Sequence, residues 1–335
     1  MTDNLNVNAL DFDEVKQELI AFLNGTEEFK DYDFTGSALN TLIDVCSYLI
    51  HYVGVQANFA LRESFLESAQ LRKNITAIAK ELGYFPSQNK AARASFTITL
   101  DLTGESQPTD ITIPKGITFV STLQDGSSVA FNTFEDSPMV DTGLAAGEAA
   151  TEIWAATIFV AQGTFANKTW TVTGSDQKYF IEQANVDTDF LTVAVRPTEA
   201  STTQDIWFYG KTLTEVGPHT EAYFLSEYNE GIELYFGNNV IGKQLSVGNV
   251  IEAEYLVTEG DTANGLREFS LTTDIAGYSR SDFVISAVSP ATDGAGRETE
   301  ASIKYLAPLS YQRQNRIVTI DDYKTAILEQ YNNVK

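Results

Sequence analysis

The sequence predicts an α+β, multidomain chain. An N-terminal helical bundle segment covers 1–85, and mainly antiparallel β domains follow over 86–290, in two subdomains. A linker and the start of a C-terminal α/β domain occupy 291–335. Three observations carry this. Apolar residues recur every three or four positions between Phe12 and Leu82, they alternate with polar ones from residue 94, and helical spacing returns only after 298.

The first helix spans about 12–24, with Phe12, Val15, Leu19, Phe22 and Leu23 at helical spacing. Asp11 stands at its N-cap with Glu14 three residues on, as in a capping box, and Gly25 stands where a C′ glycine ends a helix. The connection 31–37 leads into a longer helix. Leu39, Leu42, Ile43, Cys46, Leu49, Ile50 and Val53 form one apolar stripe on it, and Val45, Tyr48, Tyr52 and Val55 form a second beside the first. A helix that only covers its own domain shows a stripe of about 100°. This one is therefore expected to be buried on more than one side, and Leu39, Leu42, Ile43, Val45, Cys46, Tyr48, Leu49, Ile50, Tyr52 and Val53 are expected to meet a partner helix. The pattern continues through Phe59, Phe65 and Leu66. Ser68 is expected to cap a third helix carrying Leu71, Ile75, Ile78 and Leu82, which Gly83 and Pro86 end.

Strand-like runs then follow at 94–101, 111–113, 117–120, 153–160, 169–173, 190–195, 205–209, 232–236, 250–257 and 283–288, separated by Gly, Asn, Asp and Pro clusters. No amphipathic helix interrupts them, which predicts antiparallel β structure rather than βαβ units. Residues 289–298 read as a flexible connector. Helices are expected at 298–309 and 321–332, the second capped by Asp321. The sequence stops at Lys335 directly after that helix, as a truncated chain would.

The 335 residues carry a net charge of −24, of which −16 falls in 86–280. Such a surface repels phosphate backbones, so nucleic-acid binding is excluded as the main function and anionic membranes are disfavoured. No run of about 18 apolar residues is read in the sequence, so no segment is expected to span a bilayer, and the N-terminus lacks a signal-peptide pattern. A single cysteine forbids an intrachain disulfide and a cysteine zinc site, and two distant histidines, His51 and His219, leave little for metal or triad chemistry.

Asp11/Asp13, Asp31/Asp33 and Asp187/Asp189 have the spacing that opens a calcium loop, but none continues as one, and caps or turns account for them. Gly294 and Gly296 lack the remainder of a phosphate loop. His51 reads as a packed or interfacial residue, His219 as a loop residue, and Cys46 as a small core residue. No catalytic, metal or cofactor site is expected.

The run Glu227-Tyr228-Asn229-Glu230-Gly231-Ile232-Glu233-Leu234-Tyr235-Phe236-Gly237-Asn238, followed by 242–248, resembles the signature strand pair of baseplate J-like proteins. The strand 250–257, the turn 259–265, the glycine-rich 293–296 and Arg313–Thr319 running into Asp322-Tyr323 match its continuation. Phe22–Gly25, Asp31–Phe34, Glu63-Ser64-Phe65 and Gly83–Pro86 are similar to the baseplate wedge branch of that family in T-even-type myophages. The acidic stretch that follows the linker in the family is reduced here to Glu298 and Glu300, and the family's C-terminal dimerisation part is expected beyond Lys335, outside these 335 residues. The resemblance implies a non-enzymatic virion component, made in the host cytoplasm and built into the tail baseplate. It would join wedges around the hub and couple baseplate opening to sheath contraction. The implied partners are a second copy, other wedge proteins and the sheath-initiating protein, with no nucleic acid, membrane or cofactor. The alternative is a β-rich carbohydrate-binding or glycan-degrading tail module, with Trp154, Trp170 and Trp207 stacking on sugars.

Overall fold

The computed structural model describes residues 11–29, 37–145, 151–174, 177–210, 216–314 and 316–330. The Asp31/Asp33 pair and the 331–335 end lie outside them. The chain forms two compact units, Met1–Glu81 and Leu82–Lys335.

The first unit contains α1 (Phe12–Asn24), α2 (Ala38–Glu63) and α3 (Arg72–Glu81). Asp11 caps α1 through the Asp13 N–H, and Gly25 ends it at φ −78°, so this glycine's left-handed freedom is not used there. Ser37 caps α2 by accepting from the Asn40 N–H at 3.3 Å. Ser68 does not cap α3, contrary to the sequence expectation. Its hydroxyl donates to Arg62 O at 2.7 Å, and α3 starts four residues later. The Glu63 carboxylate takes over, accepting from Gln70 N–H at 2.8 Å, Leu71 N–H at 3.2 Å and the Asn74 amide at 2.7 Å. A carboxylate suits the positive end of a helix better than a hydroxyl does.

The second unit holds two sheets. Sheet one is built from β1 (Arg93–Asp101), β2 (Ile111–Ile113), β3 (Thr118–Thr122), β4 (Ser128–Thr133), β5 (Ser137–Asp141), β6 (Ile153–Gln162), β14 (Ser270–Leu271) and β15 (Phe283–Ser286), with a one-turn helix, α4 (Thr142–Ala145), between β5 and β6. Its order is β14-β3-β4-β6-β1-β15, with β5 also on β6 and β2 on β5. Sheet two is built from β7 (Thr164–Thr171), β8 (Tyr179–Ile181), β9 (Val186–Arg196), β10 (Asp205–Tyr209), β11 (Ala222–Tyr228), β12 (Gly231–Phe236) and β13 (Val250–Val257), in the order β7-β13-β9-β10-β11-β12-β8. All the pairings are antiparallel except β10 with β11.

The period-2 pattern of β1 explains its place. Phe96, Ile98 and Leu100 point into the core of sheet one, where Phe96 meets Phe119 and Phe269 at 4.9 and 5.2 Å between ring centroids. Sheet two curls until its two edge strands touch, with Trp170 edge-on to Tyr179 at 6.0 Å. Gly163 alone separates β6 of one sheet from β7 of the other. Around that crossing Phe134, Phe165 and Phe190 form a ring cluster, and Arg93–Asp189 and Lys115–Glu254 ion pairs bridge the sheets.

Two helices close the unit, α5 (Glu300–Arg313) and α6 (Ile320–Gln330). Thr319 and Asp322 cap α6, not Asp321: Asp322 accepts from Thr319 N–H at 2.8 Å, and its own N–H donates to the Thr319 hydroxyl. The expectation of a flexible connector at 289–298 is corrected. The segment runs antiparallel to 90–93, exchanging N–H···O bonds between Lys90 and Ala295 and between Arg93 and Thr292. Its small residues allow the close approach that was read from sequence as looseness, and Ala291 and Ala295 are buried.

Candidate functional site

α1 lies along α2, with Val15 buried and Lys16 paired to Asp44 at 2.6 Å. Within α2, Ile43, Ser47, Gly54 and Glu63 are buried. The first three share one line at steps of four and seven, which leaves most of the circumference uncovered. Leu42 is 61% exposed, Val53 65% and Tyr48 61%; Val45, Cys46, Leu49, Ile50 and Tyr52 are also exposed, and Leu39 is half-buried. Ile43 alone leaves the predicted partner-facing set, because it lies on the buried line at 5% exposure. Cys46 is at the surface and not in the core. Val55 and Phe59 extend the exposed face.

The exposed residues fall into two seams. Positions 39, 42, 46, 49 and 53 alternate steps of three and four, as do 45, 48, 52, 55 and 59. At about 100° per residue the seams lie roughly 120° apart. The first is largely aliphatic; the second carries Tyr48, Tyr52 and Phe59. Asn40, Asp44, His51, Asn58 and Arg62 mark a polar line on the side away from the aliphatic seam. By length and composition α2 would suffice to cross a bilayer, so the sequence-based exclusion of any such helix does not hold.

The remaining chemistry is dispersed. His219 is exposed in a turn and His51 half-buried on α2. Asp187 is buried, with its carboxylate accepting from Ala91 N–H at 2.8 Å and Asp189 N–H at 2.9 Å. Burial pushes its pKa up to about 6, against the pull of those two bonds. Among the described residues no group of three or more His, Cys, Asp and Glu is placed to hold a metal ion. The three tryptophans do not form a sugar platform. Trp207 is 4% exposed in the core of sheet two, Trp170 packs on Tyr179, and the Trp154 ring N–H donates to Gln107 in the loop between β1 and β2 of sheet one.

The signature glycines hold backbones together. A Cβ on Gly237 would lie 2.1 Å from the Gly242 carbonyl, so the Phe-Gly and the later glycine of the motif form one crossing. A Cβ on Gly294 would meet Gly260 O at 2.5 Å, and Asn264 clamps Gly294 through both its O and its N–H. Gly294 thus closes a backbone contact, whereas a Cβ on Gly296 would meet nothing within 4 Å. Tyr84, Glu227 and Glu298, from three widely separated motifs, converge nearby. Tyr84 OH donates to Glu298, and Arg297 pairs with Glu227.

Residues 11–84, almost the whole of the first unit, match the family described as baseplate wedge protein gp6-like, helical domain. The chain is 28% identical over 350 residues to baseplate wedge protein gp6 of Enterobacteria phage T4, covering 96% of this chain and 50% of that protein. It therefore spans about half the length of this curated relative. A solved structure of the anti-feeding prophage (AFP) baseplate, six-fold symmetrised, aligns with 95% of this chain and 57% of its own at 12% identity. Its TM-score of 0.30 is too low to establish a shared fold. Residues 11–84 are thus similar to the gp6-like helical domain, and the chain is similar along nearly its whole length to a phage baseplate wedge protein.

Proposed function

We propose that this protein is a non-enzymatic structural component of a contractile-tail baseplate, located in the virion. It joins wedges around the hub and couples baseplate opening to the sheath. The observation that carries this reading is the uncovered apolar face of α2. Large exposed apolar patches mark interaction sites, and fully burying one Leu or Ile contributes roughly 1.5–3 kcal/mol. Steps of three and four are those of coiled-coil seams, so each seam fits one partner helix. A second copy of the chain takes one, and a helix of another wedge protein takes the other; the sheath-initiating protein binds elsewhere. From 45 to 61 the helix has no Asp, Glu, Lys or Arg, so two copies of this acidic chain meet there without like-charge contact. The polar line through Asp44 and Arg62 suits protein neighbours better than lipid.

Leu42→Asp and Leu49→Asp test the reading in co-expression with the other wedge proteins, followed by sedimentation of the complex. Both variants should abolish wedge assembly while the β-sheet unit keeps its folded spectrum. Normal assembly of either variant would overturn the proposal. Stacking of sugars on the dispersed tryptophans has no geometric support, and a glycan array should stay blank.

A further inference from the structure

We infer that Glu298 is a releasable latch that seats the α5–α6 hairpin on the sheets of the second unit. Ahead of it, the strap 289–298 is fastened by main-chain bonds: Ser289 N–H to Ser95 O at 2.8 Å, Arg93 N–H to Thr292 O at 2.7 Å and Lys90 N–H to Ala295 O at 2.9 Å. Those bonds need no particular side chains. At the last step one more main-chain bond, Glu298 N–H to Ser87 O at 3.0 Å, is joined by a side chain. The buried Glu298 carboxylate collects Tyr84 OH at 2.9 Å, Ser87 N–H at 3.0 Å and the Ser302 hydroxyl at 2.7 Å. It therefore ties 84–87 to the first turn of α5.

A buried carboxylate is tolerated only while its bonds are complete, so the seat is either closed or open. The surroundings favour release. Arg297 pairs with Glu227 and Arg313 with Glu329, yet Arg297 Nε, Arg313 Nε and Glu329 Oε1 are buried without a hydrogen-bond partner. A polar network left partly unsatisfied is held less firmly than an apolar seat of the same size. When the Glu298 carboxylate bonds break, the strap stays paired through Ala295, and the hairpin, its two helices joined by Arg313–Glu329, is left held to 84–87 by the Glu298 N–H to Ser87 O bond and a long Ser87 hydroxyl contact to Glu329 O at 3.5 Å. This holds whatever the chain assembles with.

Hydrogen–deuterium exchange on the full chain tests the latch, comparing wild type with Glu298→Gln and Tyr84→Phe. In Glu298→Gln, peptides from 299–330 should exchange on the order of tenfold faster, while peptides from β1 and β13 keep wild-type rates. Tyr84→Phe removes one of the donors and should give an intermediate increase. Unchanged exchange over 299–330 in Glu298→Gln would overturn the latch. So would equal loss of protection in β1 and β13, since Glu298 would then support the whole unit and not the hairpin alone.

Discussion

The helical unit and the sheet unit use the same kinds of side chain in opposite ways. Phe96, Phe119, Phe131 and Phe269 close on one another inside sheet one, while Leu42, Tyr48, Val53 and Phe59 stand in the open along α2. Both segments are rich in apolar residues, so composition does not separate them. The number of faces does. A strand that alternates needs one covering layer, and the folded sheets provide it. A helix with apolar seams roughly 120° apart needs three neighbours, and within this unit the buried residues of α2 along its middle fall on one line, Ile43, Ser47 and Gly54.

Replacing one phenylalanine in each unit measures that contrast directly. Phe96→Ala removes a ring at 1% exposure and leaves a cavity between Phe119 and Phe269; the cost is about 3–5 kcal/mol. Phe59→Ala on the isolated chain should stay within about 0.5 kcal/mol, because Phe59 is 41% exposed. Thermal melts of the two variants check both values. A large loss from Phe59→Ala would mean that the α2 face is covered within the chain.

Gly237→Ala should come next. Its Cβ would meet the backbone of Gly242, which cannot rotate away as a side chain could, and overpacking of this kind costs about 1–3 kcal/mol. The turn 237–242 should separate, with faster exchange at Gly242 N–H, which donates to Gly217 O.

This crossing also bears on what could be read before the structure. The first helix and the strands 205–209 and 250–257 were legible to the residue, because their periodicity and boundary residues agree. Strand β11 was not: Ala222 to Ser226 are buried in succession, so no alternation shows. β5 carries Pro138, and β8 and β14 are too short for any period to register. The strap was misread because Gly and Ala mean freedom in a loop and close approach in a packed one. On α2 the sequence showed more apolar faces than one covering layer needs; nine of the ten residues it named for a partner helix stand exposed or half-buried, and Ile43 lies on the buried line, a choice of face that the periodicity alone does not carry.

Asp187 offers a test within the sheet unit alone. Its carboxyl titrates at about 6, raised by burial from the ordinary aspartate value, so the folded chain binds this proton more tightly than the unfolded chain does. The stabilising effect of that proton is fully present below the unfolded value near 4 and is lost as pH rises through about 6. At neutral pH the buried charge therefore costs on the order of 3 kcal/mol. Asp189 and Arg93 are the charged groups beside it, and they act in opposite directions. Asp187→Asn should remove this step from the stability profile between pH 4 and 6.5, measured as wild type minus variant. A difference curve that is flat with pH would show that burial does not raise the Asp187 pKa above its unfolded value.

The smallest effect separates the two units by salt. Residues 86–280 carry −16, so any contact made through the sheets depends on basic partner surfaces, and added salt screens such attraction over about 10 Å at 0.1 M and about 3 Å at 1 M. Contacts through α2 involve no charge between 45 and 61, and burial of apolar surface is not weakened by screening. Between about 0.05 and 0.5 M NaCl, binding of wedge partners to the whole chain should weaken several-fold. Self-association through α2 should hold constant or tighten slightly over the same range. Sedimentation of the chain alone and with its partners, at matched concentrations, reads both. If self-association fell with salt in step with partner binding, the α2 seams would not be the surface on which copies meet, and charged contacts elsewhere would have to hold them.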